Sequence, residues 1–155
     1  MNWLKWFTPQ PDMASSILHD EHTFYQAFIR DLKACRKEVI IECPFIASAR
    51  IEKLLPILKE LLQRKIRIHI LTRDPAEHDE FFRDQATNEI LMLYELGIKF
   101  TLIKGNFHRK LAIIDRTITW EGSLNILSQG NSREIMRRIE GKQTTTELIN
   151  FLGLR

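Results

Sequence analysis

Phe107-His-Arg-Lys-Leu-Ala-Ile-Ile-Asp115 runs directly into Arg116-Thr-Ile-Thr-Trp-Glu-Gly-Ser-Leu-Asn125. These nineteen residues read as two strands, His108–Ile114 and Thr117–Glu121, folded on the turn Asp115-Arg116. His108 and Lys110 stand two apart, so on a strand both project to one face. An imidazole beside an ammonium is poor core material, because each is costly to bury unpaired. The pair suits phosphate chemistry, with the imidazole as nucleophile or proton carrier and the lysine as a fixed charge on a phosphoryl oxygen. Asp115 has the opposite parity and reads as a turn former. Gly122 permits close backbone approach to a ligand, and Ser123 and Asn125 share a face as neutral hydrogen-bonding groups for the remaining oxygens.

Working outward, the chain upstream alternates in period. Phe24, Phe28, Leu32 and Cys35 form a helical stripe beginning near Asp20, and Glu38–Cys43 follows as a short strand. A second helix is predicted over 49–64, kinked or restarted at Pro56. Ile66–Thr72 alternates as a strand, a third helix covers 79–96 up to Gly97, and Lys99–Ile103 is a further strand. Strands alternating with helices predict an α/β domain, with helices flanking a mixed, largely parallel sheet. Beyond Gly105 the strands, including Glu134–Ile139, lack intervening helices, which predicts an antiparallel part before a closing helix at Thr144–Leu152.

The 155 residues allow one domain; we draw it as 18–155, preceded by an arm at 1–17 that carries Trp3, Trp6 and Phe7. That arm either touches a membrane or a partner, or folds back over an apolar edge. With 44% hydrophobic and 28% charged residues, the composition excludes disorder and a disulfide-stapled miniprotein. No apolar run has the length of a membrane span, and no export signal is seen, so a cytoplasmic, reduced protein without membrane contact is expected. The only cysteines, Cys35 and Cys43, read as packing residues; with no CxxC or HExxH, neither a metal site nor a cofactor is expected. The formal charge of +3 is unevenly placed: residues 1–100 carry 14 basic and 15 acidic side chains, and residues 101–155 carry 9 and 5. The basic last third, with Arg109, Arg133, Arg137 and Arg138, suits a polyanionic strand.

His108-x-Lys110, Asp115 and Gly122-Ser123-x-Asn125 resemble the signature of the phospholipase D superfamily, HxK(x)4D(x)6GSxN, with every spacing intact. The closest flavour is the compact, single-motif bacterial nucleases and the similar domains attached to DNA helicases. The resemblance implies an α-β-α sandwich and a metal-independent phosphodiester exchange in which His108 forms a phosphohistidine. It further implies that Lys110 and Asn125 hold phosphoryl oxygens, that Ser123 supports the site, that Glu134 orients His108, and that Asp115 supports the fold. A second histidine is needed to protonate the leaving oxygen. No other histidine here begins an HxK, so the resemblance implies a homodimer with paired His108 side chains, its interface near Phe45–Ile46 and Leu124–Leu127. The expected substrate is DNA or RNA. A lipid phosphodiesterase, or a non-catalytic nucleic-acid-binding module tied to a helicase or restriction system, are the alternatives.

Overall fold

A computed structural model describes residues 15–154. One seven-stranded sheet organises them, with β1 (Ser15–Asp20), β2 (Glu38–Glu42), β3 (Arg67–Arg73), β4 (Lys99–Ile103), β5 (Leu111–Ile114), β6 (Ile118–Gly122) and β7 (Ile135–Glu140) in the order β1-β7-β6-β5-β2-β3-β4. The helices are α1 (Phe24–Ala34), α2 (Ser48–Gln63), α3 (Glu80–Glu95) and α4 (Lys142–Leu152).

The helix-linked strands β2, β3 and β4 pair in parallel, while β5, β6, β7 and β1 add antiparallel ladders, so the change of texture at Gly105 marks the change of direction. Phe24, Phe28 and Leu32 of α1, Ile51, Leu54 and Leu58 of α2 and Leu93 of α3 pack with Val39, Ile41, Ile70 and Trp120 on one face. On the other face, among the described residues, α4 is the one helix that covers the sheet, its Ile149 clustering with Ile40, Leu71, Leu111 and Ile113. The result is the expected α-β-α sandwich, with one face thickly covered and the other thinly. Asp31 ties α1 to the sheet, accepting from Trp120 Nε1 at 2.8 Å and from two nitrogens of Arg138 at 2.7 and 2.9 Å.

Three local readings change. Strand β1 straddles the line drawn between residues 17 and 18, because Ser15–Asp20 pairs along its whole length with β7. Trp3, Trp6 and Phe7 lie outside the described residues. Helix α2 runs through Pro56 as one element, with Pro56 on its exposed side. The segment His108–Lys110 is not part of a strand, and β5 begins at Leu111.

Candidate active site

The β5–β6 hairpin sets the site's geometry. Its register pairs Leu111 with Glu121 and Ile114 with Ile118, and it closes on Asp115 and Arg116 at φ of +51° and +57°. Thr117 N–H bonds back to the Ile114 carbonyl at 3.1 Å, which with two positive φ angles makes a type I′ turn. The segment before β5, with His108 and Lys110, and the segment after β6, with Ser123 and Asn125, therefore emerge side by side at the hairpin's open end. Asp115 sits at the far end. Its carboxylate accepts from the backbone N–H groups of Lys37 (2.7 Å), Arg36 (2.8 Å) and Glu38 (3.1 Å), and from the Cys35 thiol at 3.3 Å. Partial burial pushes the Asp115 carboxyl up, but those donors together hold it below the ordinary 3.8.

At the open end, Lys110 Nζ lies 2.9 Å from His108 Nδ1 and donates to the His108 carbonyl at 2.8 Å. Partial desolvation lowers the Lys110 pKa, against the nearby Cys43 and the Glu134 carboxylate, which favour its charge. Asn125 accepts two backbone bonds at its main-chain carbonyl, from Ser128 at 3.1 Å and Gln129 at 2.8 Å. Its side-chain Oδ1, however, is buried with no hydrogen-bond partner. A buried amide oxygen left unpaired is unfavourable until a hydrogen-bond donor reaches it. His108 also makes an edge contact with Phe45, ring centroids 6.3 Å apart, and Phe45 in turn packs on His78 at 5.3 Å.

Other site residues take different parts from those expected. Gly122 lines the groove, and its missing side chain makes room for β7: a Cβ there would stand 2.1 Å from the Ile135 carbonyl oxygen and 2.9 Å from Met136 Cα. Ser123 fastens the same junction, donating its N–H to the Ile135 carbonyl at 3.0 Å and accepting from Ile135 N–H at its Oγ at 3.1 Å. Glu134 accepts from Ser132 Oγ at 2.8 Å and makes no hydrogen bond to His108. Its own N–H is held by Glu21 at 2.9 Å.

The basic residues also divide. Arg109 forms a two-pronged pair with Glu42, at 2.7 and 3.0 Å, and Glu42 is fully buried, so this guanidinium neutralises a carboxylate in the sheet. Arg138 is similarly occupied by Asp31 and Glu140, contacts that raise its pKa. Neither offers the free charge for which the sequence nominated it. Arg133 is exposed before β7. Arg137 lies on the opposite side of β7 from Arg138 and lines, with His108, Lys110, Glu121 and the end of α4, a groove of about 610 Å³. The sequence offers one signal for Glu42, its shared parity with Glu38 on β2, but not the arginine pairing that makes its burial tolerable there. The expected interface residues Leu124, Ile126 and Leu127 are fully buried in the core of this chain, and Ile46 nearly so, so they do not form a free surface. Phe45 is half-buried and lines a cavity of about 400 Å³ with His78 and Phe82.

A mixed α/β sandwich with a histidine and lysine pair at the open end of a central hairpin defines a phosphodiesterase-type scaffold. The family model described as "Cardiolipin synthase, PLD-like domain" matches residues 28–153, and the chain belongs to this phospholipase D-like family. Among solved structures the fold is similar to NucT from Helicobacter pylori, at TM-score 0.72 and 20% identity, over 89% of this chain and 92% of that one. It is also similar to Nuc from Salmonella typhimurium, a phospholipase D family member, at TM-score 0.69 and 15% identity over 89% and 91% of the two chains. Phosphatidylserine synthase from Haemophilus influenzae matches at TM-score 0.69 and 14% identity, over 90% of this chain but 38% of that larger protein. No curated protein matches the sequence. No helix among the described residues is long and apolar enough to cross a membrane.

Proposed function

We propose that the protein is a metal-independent phosphodiesterase that cleaves nucleic acid through a phosphohistidine on His108, in a site completed by a second copy of the chain. The observation that carries this reading is the contact of His108 with Lys110 at the mouth of a groove that also holds Arg137. With Nδ1 facing Lys110, the ring presents Nε2 outward. When a phosphodiester enters, Lys110 turns from His108 to a phosphoryl oxygen, and Nδ1 carries the ring proton. Glu134, whose carboxylate already acts on Lys110, is the acceptor that then orients the ring. The Nε2 lone pair attacks phosphorus, and the bond from phosphorus to the leaving oxygen breaks. That oxygen takes a proton from a second histidine. The same histidine then removes a proton from water, whose oxygen attacks phosphorus and breaks the P–N bond, restoring His108 and releasing a phosphomonoester.

The second histidine is assigned to the partner subunit because the others in this chain are engaged elsewhere. His69 bonds Thr101 at 2.8 Å, His19 packs on Trp120 at 5.1 Å, and His22 is exposed beside Glu21. His78 is buried against Phe45, and that burial, with Arg73 close by, lowers its pKa and disfavours its charged form. A twofold axis through the open end of the hairpin would bring the partner subunit's His108 to the same phosphate.

The test is cleavage of labelled oligonucleotides in EDTA by wild type and by His108→Asn. Turnover should survive the chelator and fall by at least a thousandfold in the variant. Undiminished cleavage by His108→Asn, or wild-type activity only with added Mg²⁺, would overturn the mechanism. Mixing wild type with His108→Asn subunits tests the shared site: activity should fall with the square of the wild-type fraction, because a mixed pair holds one histidine, and a linear fall would refute the sharing.

A further inference from the structure

We infer, resting on the nuclease reading above, that the groove beside His108 selects single-stranded nucleic acid, with Phe151 as the platform for an unpaired base and Arg137 as the clamp for the neighbouring phosphate. Phe151 is 84% exposed near the end of α4. The helix packs through Thr145, Leu148 and Ile149, and a residue two past Ile149 points away from the sheet. Exposure of one apolar side chain is ordinary. Here, however, Phe151 joins Ile135 of β7 and Leu18 of β1, 56% and 54% exposed, around the groove that contains His108 and Lys110. Three elements thus hold large apolar side chains in water at the reaction centre, where folding gains nothing from them.

A ligand that satisfies this lining brings a phosphate and a flat apolar face together, as a nucleotide does. In a duplex both faces of each base are already stacked on neighbours, so only an unpaired strand can lay a base on Phe151. The charge pattern points the same way. Lys110 serves the scissile phosphate, and Arg137 stands apart from it, with Nη1 on Ser16 Oγ at 2.9 Å and its other donors unassigned. A phospholipid with a single phosphodiester would fill the Lys110 position and leave Arg137 facing only Glu121, its cross-strand neighbour on β6, with which it forms no ion pair. A strand repeats its phosphate at every nucleotide and fills both.

The experiment compares kcat/KM for a 12-nucleotide single strand, for the same sequence as a duplex, and for methyl p-nitrophenyl phosphate, a diester with no base. Wild type should prefer the single strand over the duplex by at least tenfold. Phe151→Ala should lower the ratio of single-strand to small-diester kcat/KM by about 5- to 150-fold, the range for one base stacked on an aromatic ring. Phe151→Trp should restore that ratio and Phe151→Leu should not, because leucine keeps apolar area and lacks a π-face. Equal cleavage of duplex and single strand, or a Phe151→Leu protein equal to wild type, overturns the inference. So does hydrolysis of phosphatidylglycerol vesicles in preference to the oligonucleotide, which would make the groove an acyl-chain site. Wild type that turns over no diester at all refutes the underlying phosphodiesterase reading instead, and the small diester separates the two failures.

Discussion

Replacing Asp115 with alanine isolates the part of the signature that lies far from the reaction. The carboxylate holds three consecutive backbone N–H groups, at Arg36, Lys37 and Glu38, where α1 hands over to β2. Hydrogen bonds to a charged acceptor are worth about 1.5–3 kcal/mol each, which sets a ceiling well above 4 kcal/mol for the set. Arg36 and Lys37 are exposed, so water replaces part of what is lost. We expect Asp115→Ala to lose about 2–4 kcal/mol, a fall in Tm of roughly 5–15 °C for a domain of this size.

The φ of +51° adds a second contribution, because alanine is strained there and glycine is not. The order of stability should be wild type, Asp115→Asn, Asp115→Gly, Asp115→Ala, with glycine about 1 kcal/mol above alanine. The pH dependence has a fixed sign. Asp115's folded pKa lies below 3.8, so its contribution is fully present above the unfolded value and is lost as pH falls through the folded one. The gap between wild type and Asp115→Ala, measured by urea unfolding, should be constant from pH 7 to pH 5 and close below pH 4. Below its melting range the variant should still turn over substrate. A protein that keeps wild-type stability but loses activity would place Asp115 in the chemistry and refute the structural role.

Gly122→Ala should destabilise by about 3 kcal/mol or more, read by thermal melting, since its Cβ meets the β7 backbone and no side-chain rotation relieves the clash. Arg138→Met should cost about 2 kcal/mol by stripping Asp31 of its main partner, while leaving the salt dependence of oligonucleotide binding unchanged. Arg137→Met should do the reverse: stability within about 0.5 kcal/mol of wild type, and a log–log salt slope for single-stranded binding smaller by about 0.7 in fluorescence anisotropy. Arg109→Met should lower the urea midpoint strongly, because it abandons the fully buried Glu42 carboxylate.

The two neighbouring arginines show where reading the chain alone stops. Adjacent residues on a strand face opposite ways, but which way β7 faces depends on its pairing with β6 and with β1, the latter more than 100 residues away in the chain. The basic excess of the last third was plain from the sequence, whereas its division into ion pairs and free charge was not. Strand β1 was missed for a related reason. Its only aliphatic residues, Ile17 and Leu18, are both exposed, so it exists by hydrogen bonding to β7 and not by burying an apolar face. The helical stripe of α1 and the alternation of β3 were legible because burial itself imposes their period.

The signature was legible for a different reason, which lies in the hairpin. His108 and Lys110 precede β5, and Asn125 follows β6, so the twelve residues of Leu111–Gly122 fix how these groups meet. One residue more or less would shift the register and turn every side chain of one strand to the other face. The remaining signature positions secure that hairpin from its two ends. Asp115 binds its turn to the start of β2, while Gly122 and Ser123 press its open end against Ile135 and Met136 of β7. Of the signature residues, His108 and Lys110 present their side chains to the groove, while Asp115, Gly122 and Ser123 hold backbone. The spacing reads clearly because rigidity demands it: an attacking nitrogen must sit within a fraction of an ångström of its line to phosphorus, and a four-residue ladder buried on both faces supplies that stiffness.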